Sequence, residues 1–400
     1  MTVRLYYQDP YLFRFTAKVL ACRPIDDAFE VQLDRTCFYP ESGGQPSDSG
    51  QLGGRQVLGV REEGTRLLHR VDGPIEATEA EGLVDSERRL DHMEHHTGQH
   101  LLSAAFLEGV GIPTVSAHIS AHESTIDLDR PELFEEDADK AEELANRVIR
   151  ENRTIHCFYP TLDELKQLTF RKMPSVEEDI RVVRIPDFDV SACCGTHCPS
   201  TGRVGLVKVR RWEHYKGMTR LYFHCGRRAL QEFRFQNSSI RDLSELFSVK
   251  DRDLVARVAA MHDEHVEAYR QLRKTRSELL KHEAASMLTQ SQRLSDGTLL
   301  VVRELAEGHG MEELKVLADA LLKHPGVVFL GGAAGPKAQV LFARSPDWPG
   351  DMSSILRKVV SGLGGKGGGV PHQAQGGVPG SALSEAIALA RKEIESLSGG

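Results

Sequence analysis

From Val3 to Val71, apolar and polar residues alternate in short runs such as FRFTAKVLAC and FEVQLDRTCFY, broken by Gly, Pro and Asp. A period of two suits half-buried strands, whose successive side chains face opposite ways, so this stretch reads as a small β-rich unit with no long helix. From Asp91 the period lengthens. Leu101, Leu102, Ala105 and Phe106 fall at helical spacing, and Gly109 and Gly111 stand where such a helix should stop. A strand over Ser124 to Leu128 and a second helix over Pro131 to Asn152 follow, then strands over Arg181 to Arg184, Gly205 to Arg210 and Arg220 to His224. The middle of the chain is thus mixed α and β. The acids in PELFEEDADKAEE read as a solvated first helical turn or two.

Between Arg227 and Asp296 there is neither Gly nor Pro. Within it Leu254, Val258, Met261, His265, Ala268, Leu272, Thr275 and Leu279 alternate four-three spacings like a coiled-coil seam, which predicts a long helix or helical hairpin with an interhelical partner. After Gly297 short strands return (Leu299 to Val302, Val327 to Leu330, Val340 to Phe342), with helices around Met311 to Lys323 and Ser381 to Ser396 and the stretch GLGGKGGGVPHQAQGG. The expected organisation is α+β and multidomain: a β-rich domain over 1–90, a mixed α/β core over 91–230, a helical arm over 231–296 and an α/β domain over 297–400.

A length of 400 residues accommodates two or three domains, and no run nears the roughly 18 apolar residues of a membrane helix. With no signal-peptide core at the start, a soluble cytoplasmic protein is expected. The net charge of −8 is the wrong sign for coating nucleic acid along the whole surface, so any such contact must be local. One basic stretch qualifies. From Arg203 to Arg228 eight cations, among them Arg210, Arg211, Lys216 and Arg220, face a single acid, Glu213, with Trp212 and Tyr215 interleaved as stacking surfaces. An amphipathic strand pair with charged outer residues accounts for it equally well.

Three of the 7 cysteines, Cys193, Cys194 and Cys198, crowd around His197, a grouping typical of a metal site. His96 and His100, four apart in a helical pattern, project from one face, and Cys193 and His197 repeat the spacing in a Gly-containing stretch read as a loop. Two nitrogens, a sulfur and a third nitrogen suit tetrahedral zinc. His92 shares the helical face, however, and Cys194 and Cys198 share the loop spacing, so spacing alone leaves the set open. Thr97 stands where a zinc protease of the HExxH type carries its general base, which argues against peptide hydrolysis.

Four stretches resemble one family, the stand-alone alanyl-tRNA editing proteins, which are similar to the editing half of alanyl-tRNA synthetase: TCFYPESGGQPSDSG, HHTGQHLLSAAF, CCGTHCPSTGRVGL and GMTRLYFHCGRRAL. The long form fits best, because the Gly-rich end resembles the C-terminal domain shared with DHH phosphoesterases. The resemblance implies a small β-barrel-like N-terminal domain, a zinc-bearing editing core and one zinc per chain on His96, His100, Cys193 and His197. It implies hydrolysis of the aminoacyl ester of mischarged tRNA(Ala), seryl-tRNA first and glycyl-tRNA second. It also places Gly43, Gly44 and Gln45 at the substrate, with Ser116 and His118 as candidates for reading a serine hydroxyl, since Ala117 stands where related sites carry a polar side chain. Lys366, in the Gly-rich loop from Gly364 to Gly369, joins the tRNA-binding candidates. Two positions depart from the family: Cys194, where Gly is commoner, and Val370, where Arg is common.

The chain starts at the β-rich unit, so hydrolysis without aminoacylation is expected. A homodimer through the arm or the C-terminal domain is a further expectation. Two other readings compete: a nonenzymatic RNA-binding scaffold with structural zinc, and a deacylase for another aminoacyl-tRNA.

Overall fold

The alternating runs at the start of the chain close on themselves. β1 (Val3–Arg4), β2 (Arg14–Ile25), β3 (Ala28–Leu33), β4 (Arg35–Thr36), β5 (Gly50–Leu52), β6 (Arg55–Glu63), β7 (Arg66–Val71) and β8 (Glu79–Val84) succeed one another, and six of them form a closed barrel in the order β2-β3-β7-β6-β5-β8. Closure removes free sheet edges and turns alternate side chains of each strand inward, where Val31, Leu33, Phe38, Leu52, Val57 and Val71 make the core. The computed structural model describes residues 2–174 and 179–398, which fall into two units, Met1–Leu243 and Ser244–Gly400.

α1 (Ser86–Val110) begins at Asp85, whose side chain accepts from the Arg88 amide, and ends at Gly111 in the left-handed conformation. Its residues from His95 to Phe106 are all buried, so the helix runs through the interior and shows little amphipathic pattern. Arg89 anchors it. That fully buried guanidinium pairs with Asp48 and donates to the carbonyls of Pro10 and Cys37, tying α1 to the barrel domain.

β9 (Thr114–Ile119) and β10 (Ser124–Leu128) precede α2 (Glu135–Glu151), which lays Ala138, Ala141, Ala145, Val148 and Ile149 into the core. The helix starts later than Pro131, with Glu135, Glu136 and Asp137 in its first turn, where they favour the positive end of the dipole. β11 (His156–Phe158), α3 (Leu162–Gln167), β12 (Val182–Ile185), β13 (Asp189–Ala192), β14 (Val207–Tyr215) and β15 (Met218–Cys225) complete the layer as two antiparallel sheets, β11-β12-β13 and β14-β15-β10-β9. Lys216 and Gly217 turn the β14–β15 hairpin with φ of 50° and 80°.

The Gly/Pro-free stretch is two helices, α4 (Gly226–Phe247) and α5 (Leu254–Thr289), and not one unbroken arm. Ser248, at φ 53°, ends the first. Along α5 the seam residues Val258, Met261, Leu272 and Leu279 are exposed, while Leu280 and Ala284 pack into the following sheet.

The second unit continues with β16 (Gln292–Arg293), β17 (Leu299–Leu305), α6 (Met311–Leu321), β18 (Val327–Ala333), β19 (Lys337–Arg344), α7 (Met352–Gly362), β20 (Lys366–Val370), β21 (Gln373–Pro379) and α8 (Leu383–Ser398). The six strands form one sheet, β16-β17-β18-β19-β21-β20, with α7 and α8 packed into one hydrophobic cluster and α6 with the end of α5 into another. Most of the Gly-rich segment read as a loop is instead the edge strand β20. Its glycines lie so close to β21 that a Cβ at Gly369 would overlap the backbone of Gln373.

Candidate metal centre

α1 turns His96 and His100 to one side, and the loop that follows β13 brings Cys193 and His197 to meet them. One donor atom from each of the four lies within 4.8 Å of the others. The Cys193 Sγ is 3.3 Å from Nε2 of both His96 and His197. Ligand bonds of about 2.3 Å to sulfur and 2.05 Å to nitrogen at a tetrahedral angle put the two donors about 3.6 Å apart, so the observed spacing needs only a slight opening to take zinc.

The far nitrogens are held as well. His96 Nδ1 is 2.8 Å from Gln45 Oε1, His100 Nδ1 is 3.1 Å from Asp189 Oδ2, and His197 Nδ1 is 3.3 Å from Thr97 Oγ1. Such partners fix the tautomer and the ring plane, leaving Nε2 free to ligate. Gln45 is itself set by Thr196, whose hydroxyl accepts from Gln45 Nε2 at 2.9 Å and whose amide donates to Gln45 Oε1 at 3.2 Å. Asp189 also accepts from Arg171 Nε at 2.8 Å and from the Ser191 hydroxyl.

The charges follow this wiring. Burial disfavours a Cys193 thiolate, but the facing imidazoles of His96, His197 and His100 outweigh it and hold the thiol well below its ordinary value. Burial also opposes protonation of His100, yet its bonds to Asp189 and Cys193 carry it up to about 9, whereas burial takes His197 down to about 3. Gly195 is where the loop passes over the His96 ring, and a Cβ there would overlap the imidazole.

The neighbours that spacing could not separate are placed differently. Cys194 is exposed, its carbonyl accepting from Tyr7 Oη at 2.8 Å. Cys198 is buried, with a thiol pushed up to about 12 by burial, and its amide donates to Thr97 Oγ1. His92 belongs to another cavity. Thr97, in the place of a protease base, positions the loop and His197.

Beside the cluster opens a cavity of about 480 Å³, with His96, His100 and Cys193 on one wall and Gly43, Ser116, Ala117, Arg171, Lys172 and Arg181 among the others. Ser116 reaches it with its hydroxyl donated to Asp127 Oδ2 at 2.6 Å. His118 does not. It lines a smaller cavity of about 290 Å³ with Gly43, Gly44 and Gln45. Asp189, Arg171 and Arg181 went unread in the sequence, because only folding brings β13 and the segment after α3 to the histidines.

The basic stretch changes most. In space Lys208 pairs with Glu142, Arg210 with Glu232, Arg211 with Glu123 and Glu213, Arg220 with Asp127, Arg227 with Glu87 and Arg228 with Asp91. The excess counted along the sequence is therefore largely matched by acids from other segments. Lys216 stays at the hairpin tip against Tyr215, while Trp212 packs on the core. Lys366 lies in the second unit, beside Arg357 and Lys358.

A barrel domain, an α/β layer and a buried His/Cys cluster opening on a cavity define a class of tRNA-synthetase-related editing domain. In keeping with it, the family model described as the second additional domain of threonyl and alanyl tRNA synthetases matches residues 180–222. The alanyl-tRNA editing protein AlaX-L of Pyrococcus horikoshii is 31% identical over 393 residues, which cover 94% of this chain and 95% of that protein. The chain belongs to the alanyl-tRNA editing protein family. The alanine–tRNA ligases of Pyrococcus furiosus and Pyrococcus abyssi are 33% and 31% identical over 90% and 99% of this chain, which spans only 40% and 43% of their length. The C-Ala domain of Aquifex aeolicus alanyl-tRNA synthetase aligns at 24% identity with 28% of this chain and 98% of that domain, at a TM-score of 0.24.

Proposed function

We propose that the protein hydrolyses the ester of mischarged tRNA(Ala), seryl-tRNA first and glycyl-tRNA second, with one zinc held by His96, His100, Cys193 and His197. The convergence of these four side chains at the wall of an open cavity carries this reading. Zinc, when bound, supplies Lewis acidity at the ester. The chain's own residues do the rest. Gln45, Asp189 and Thr97 hold the three rings in place. Lys172 and Arg181 stand on the cavity wall as cations that can meet the phosphate-bearing end of an RNA, while Arg171 is matched by Asp189. The Ser116 hydroxyl donates its hydrogen bond to Asp127, which leaves its oxygen as an acceptor for a serine hydroxyl. Alanine offers no such donor and forgoes that bond, Ser116 itself being exposed on β9.

The cavity favours this reading over a purely structural zinc, which needs no adjoining space. The four-part division at residues 90, 230 and 296, the tRNA contacts of Arg210, Arg211, Lys216, Arg220 and Lys366, and pairing of two chains through the exposed α5 seam belong to the same proposal. Metal analysis and deacylation of seryl-tRNA(Ala) by Cys193→Ala and Cys194→Ala variants test it. Cys193→Ala is expected to lose zinc and to slow hydrolysis by about 100-fold or more, with Cys194→Ala retaining both. Full zinc occupancy in a His96→Ala, His100→Ala double variant contradicts the ligand set.

A further inference from the structure

One helical turn before His96, His92 faces a different cavity, about 590 Å³, bounded by the first turns of α1 and α4 and by His122 and His224. Three buried polar groups on its wall lack partners. His92 is fully buried, with no hydrogen bond to either ring nitrogen. His224, 7% exposed, has the backbone of His122 nearby but makes no bond of normal geometry. Arg228 sets Nε and Nη2 on Asp91 and leaves a buried Nη1 without an acceptor. An unsatisfied buried polar group costs about 1–3 kcal/mol, so three around one cavity call for a ligand.

The sign of that ligand follows from what is already matched. Asp85 caps α1, Glu87 pairs with Arg227, Asp91 with Arg228 and Glu232 with Arg210. All four acids on the wall are thus engaged. The groups left over are donors: Nη1 of Arg228, an N–H on each of His92 and His224, and the end of the Arg88 guanidinium, whose Nε donates to the Ser47 carbonyl at 3.1 Å. Two long helices also begin here, α1 at Ser86 and α4 at Gly226, and their first turns add positive potential.

We propose that this cavity binds a phosphate group, carried either by inorganic phosphate or by the backbone of an RNA strand. Its volume leaves room for the ribose that flanks a phosphodiester. Burial and the nearby Arg88 hold His92 near 3, and burial lowers His224 as well, so both meet the ligand as neutral imidazoles whose N–H groups donate. The site stands without the deacylase reading. Only an RNA source for the phosphate draws on that reading.

The test is imidazole NMR of the full-length protein, titrated with inorganic phosphate and, separately, with uncharged tRNA transcript. Saturable shifts of the His92 and His224 resonances are expected, with phosphate binding about tenfold weaker in Arg88→Gln. Arg88→Gln leaves the Asp91–Arg228 pair intact, and its zinc content reports that the fold is kept. If the natural ligand is an RNA backbone, the transcript displaces phosphate and Arg88→Gln lowers the salt slope of tRNA binding by about one. If it is free phosphate, tRNA and phosphate bind together and tRNA affinity is unchanged in Arg88→Gln. Resonances of His92 and His224 that stay still with the transcript and with phosphate up to about 50 mM at constant ionic strength overturn the proposal, whatever the deacylation assay shows.

Discussion

At the scale of single residues, the proposed metal centre depends on side chains outside its four candidate ligands. Asp189 holds His100, and Gly195 lets the loop pass over His96. Asp189→Asn is expected to weaken zinc binding by about 10- to 100-fold, measured by competition with a chelating dye, and Gly195→Ala to do so at least as strongly by displacing the His96 ring. Unchanged zinc affinity in both contradicts this account of the second layer. The clustered residues were legible in part: two four-residue spacings and an N/S donor set survive in the linear sequence, but spacing did not separate them from His92, Cys194 and Cys198. Asp189 was not, since nothing local distinguishes it from any strand aspartate. His69 in the barrel core makes a separate prediction. It bonds Thr36 and the Val31 carbonyl, and burial lowers it to about 4. The unfolded chain, with a histidine near 6.5, takes up the proton first as pH falls. The stability that neutral His69 contributes is therefore complete above about pH 6.5 and is lost towards pH 4, by about 3 kcal/mol. Urea midpoints at pH 7 and 4.5 should differ less in His69→Gln than in the native protein, and an equal difference contradicts the assignment.

At the scale of elements, α1 links the barrel to the candidate ligand pair, and a buried ion pair anchors it there. Arg89 and Asp48 are both fully buried, and Asp48 also accepts from the Tyr39 amide at 2.6 Å. Removing one charge strands the other. Arg89→Met should cost about 3–5 kcal/mol in urea unfolding of the first unit, against almost nothing for the exposed Arg70→Met, whose partner is the exposed Asp27. Equal costs contradict the anchoring role. The strands were readable from alternation wherever one face is buried, as in β8, where buried and exposed residues alternate without exception. Several elements escaped, and three of them show why. α7 carries a buried stripe of Met352, Ile355, Leu356, Val359 and Val360 behind the Asp351 cap, a pattern present in the sequence but masked by the glycines after it. β20 looked like a loop because glycine has low strand propensity, yet close approach to β21 demands it. The break at Ser248 has neither Gly nor Pro to announce it.

At the scale of the whole molecule, two units carry separate cores, the first holding the His/Cys cluster and three histidine-lined cavities, the second a six-stranded sheet with helices on its faces. The net charge of −8 and the pairing of the basic stretch with distant acids show that sequence-local charge counts overstate the free cations. Among the described residues no helix is long and apolar enough to cross a membrane. The central claim joins the family assignment to the cluster and its cavity: a site that removes the wrong amino acid and spares the right one. One measurement tests it most directly, the single-turnover rate of ester loss from seryl-tRNA(Ala) and alanyl-tRNA(Ala) by the zinc-loaded full-length protein. Loss of the seryl ester about 100-fold faster than the alanyl ester is predicted, because only serine carries a hydroxyl that the Ser116 oxygen can accept. Equal rates for the two esters, or no hydrolysis of either, contradict the account.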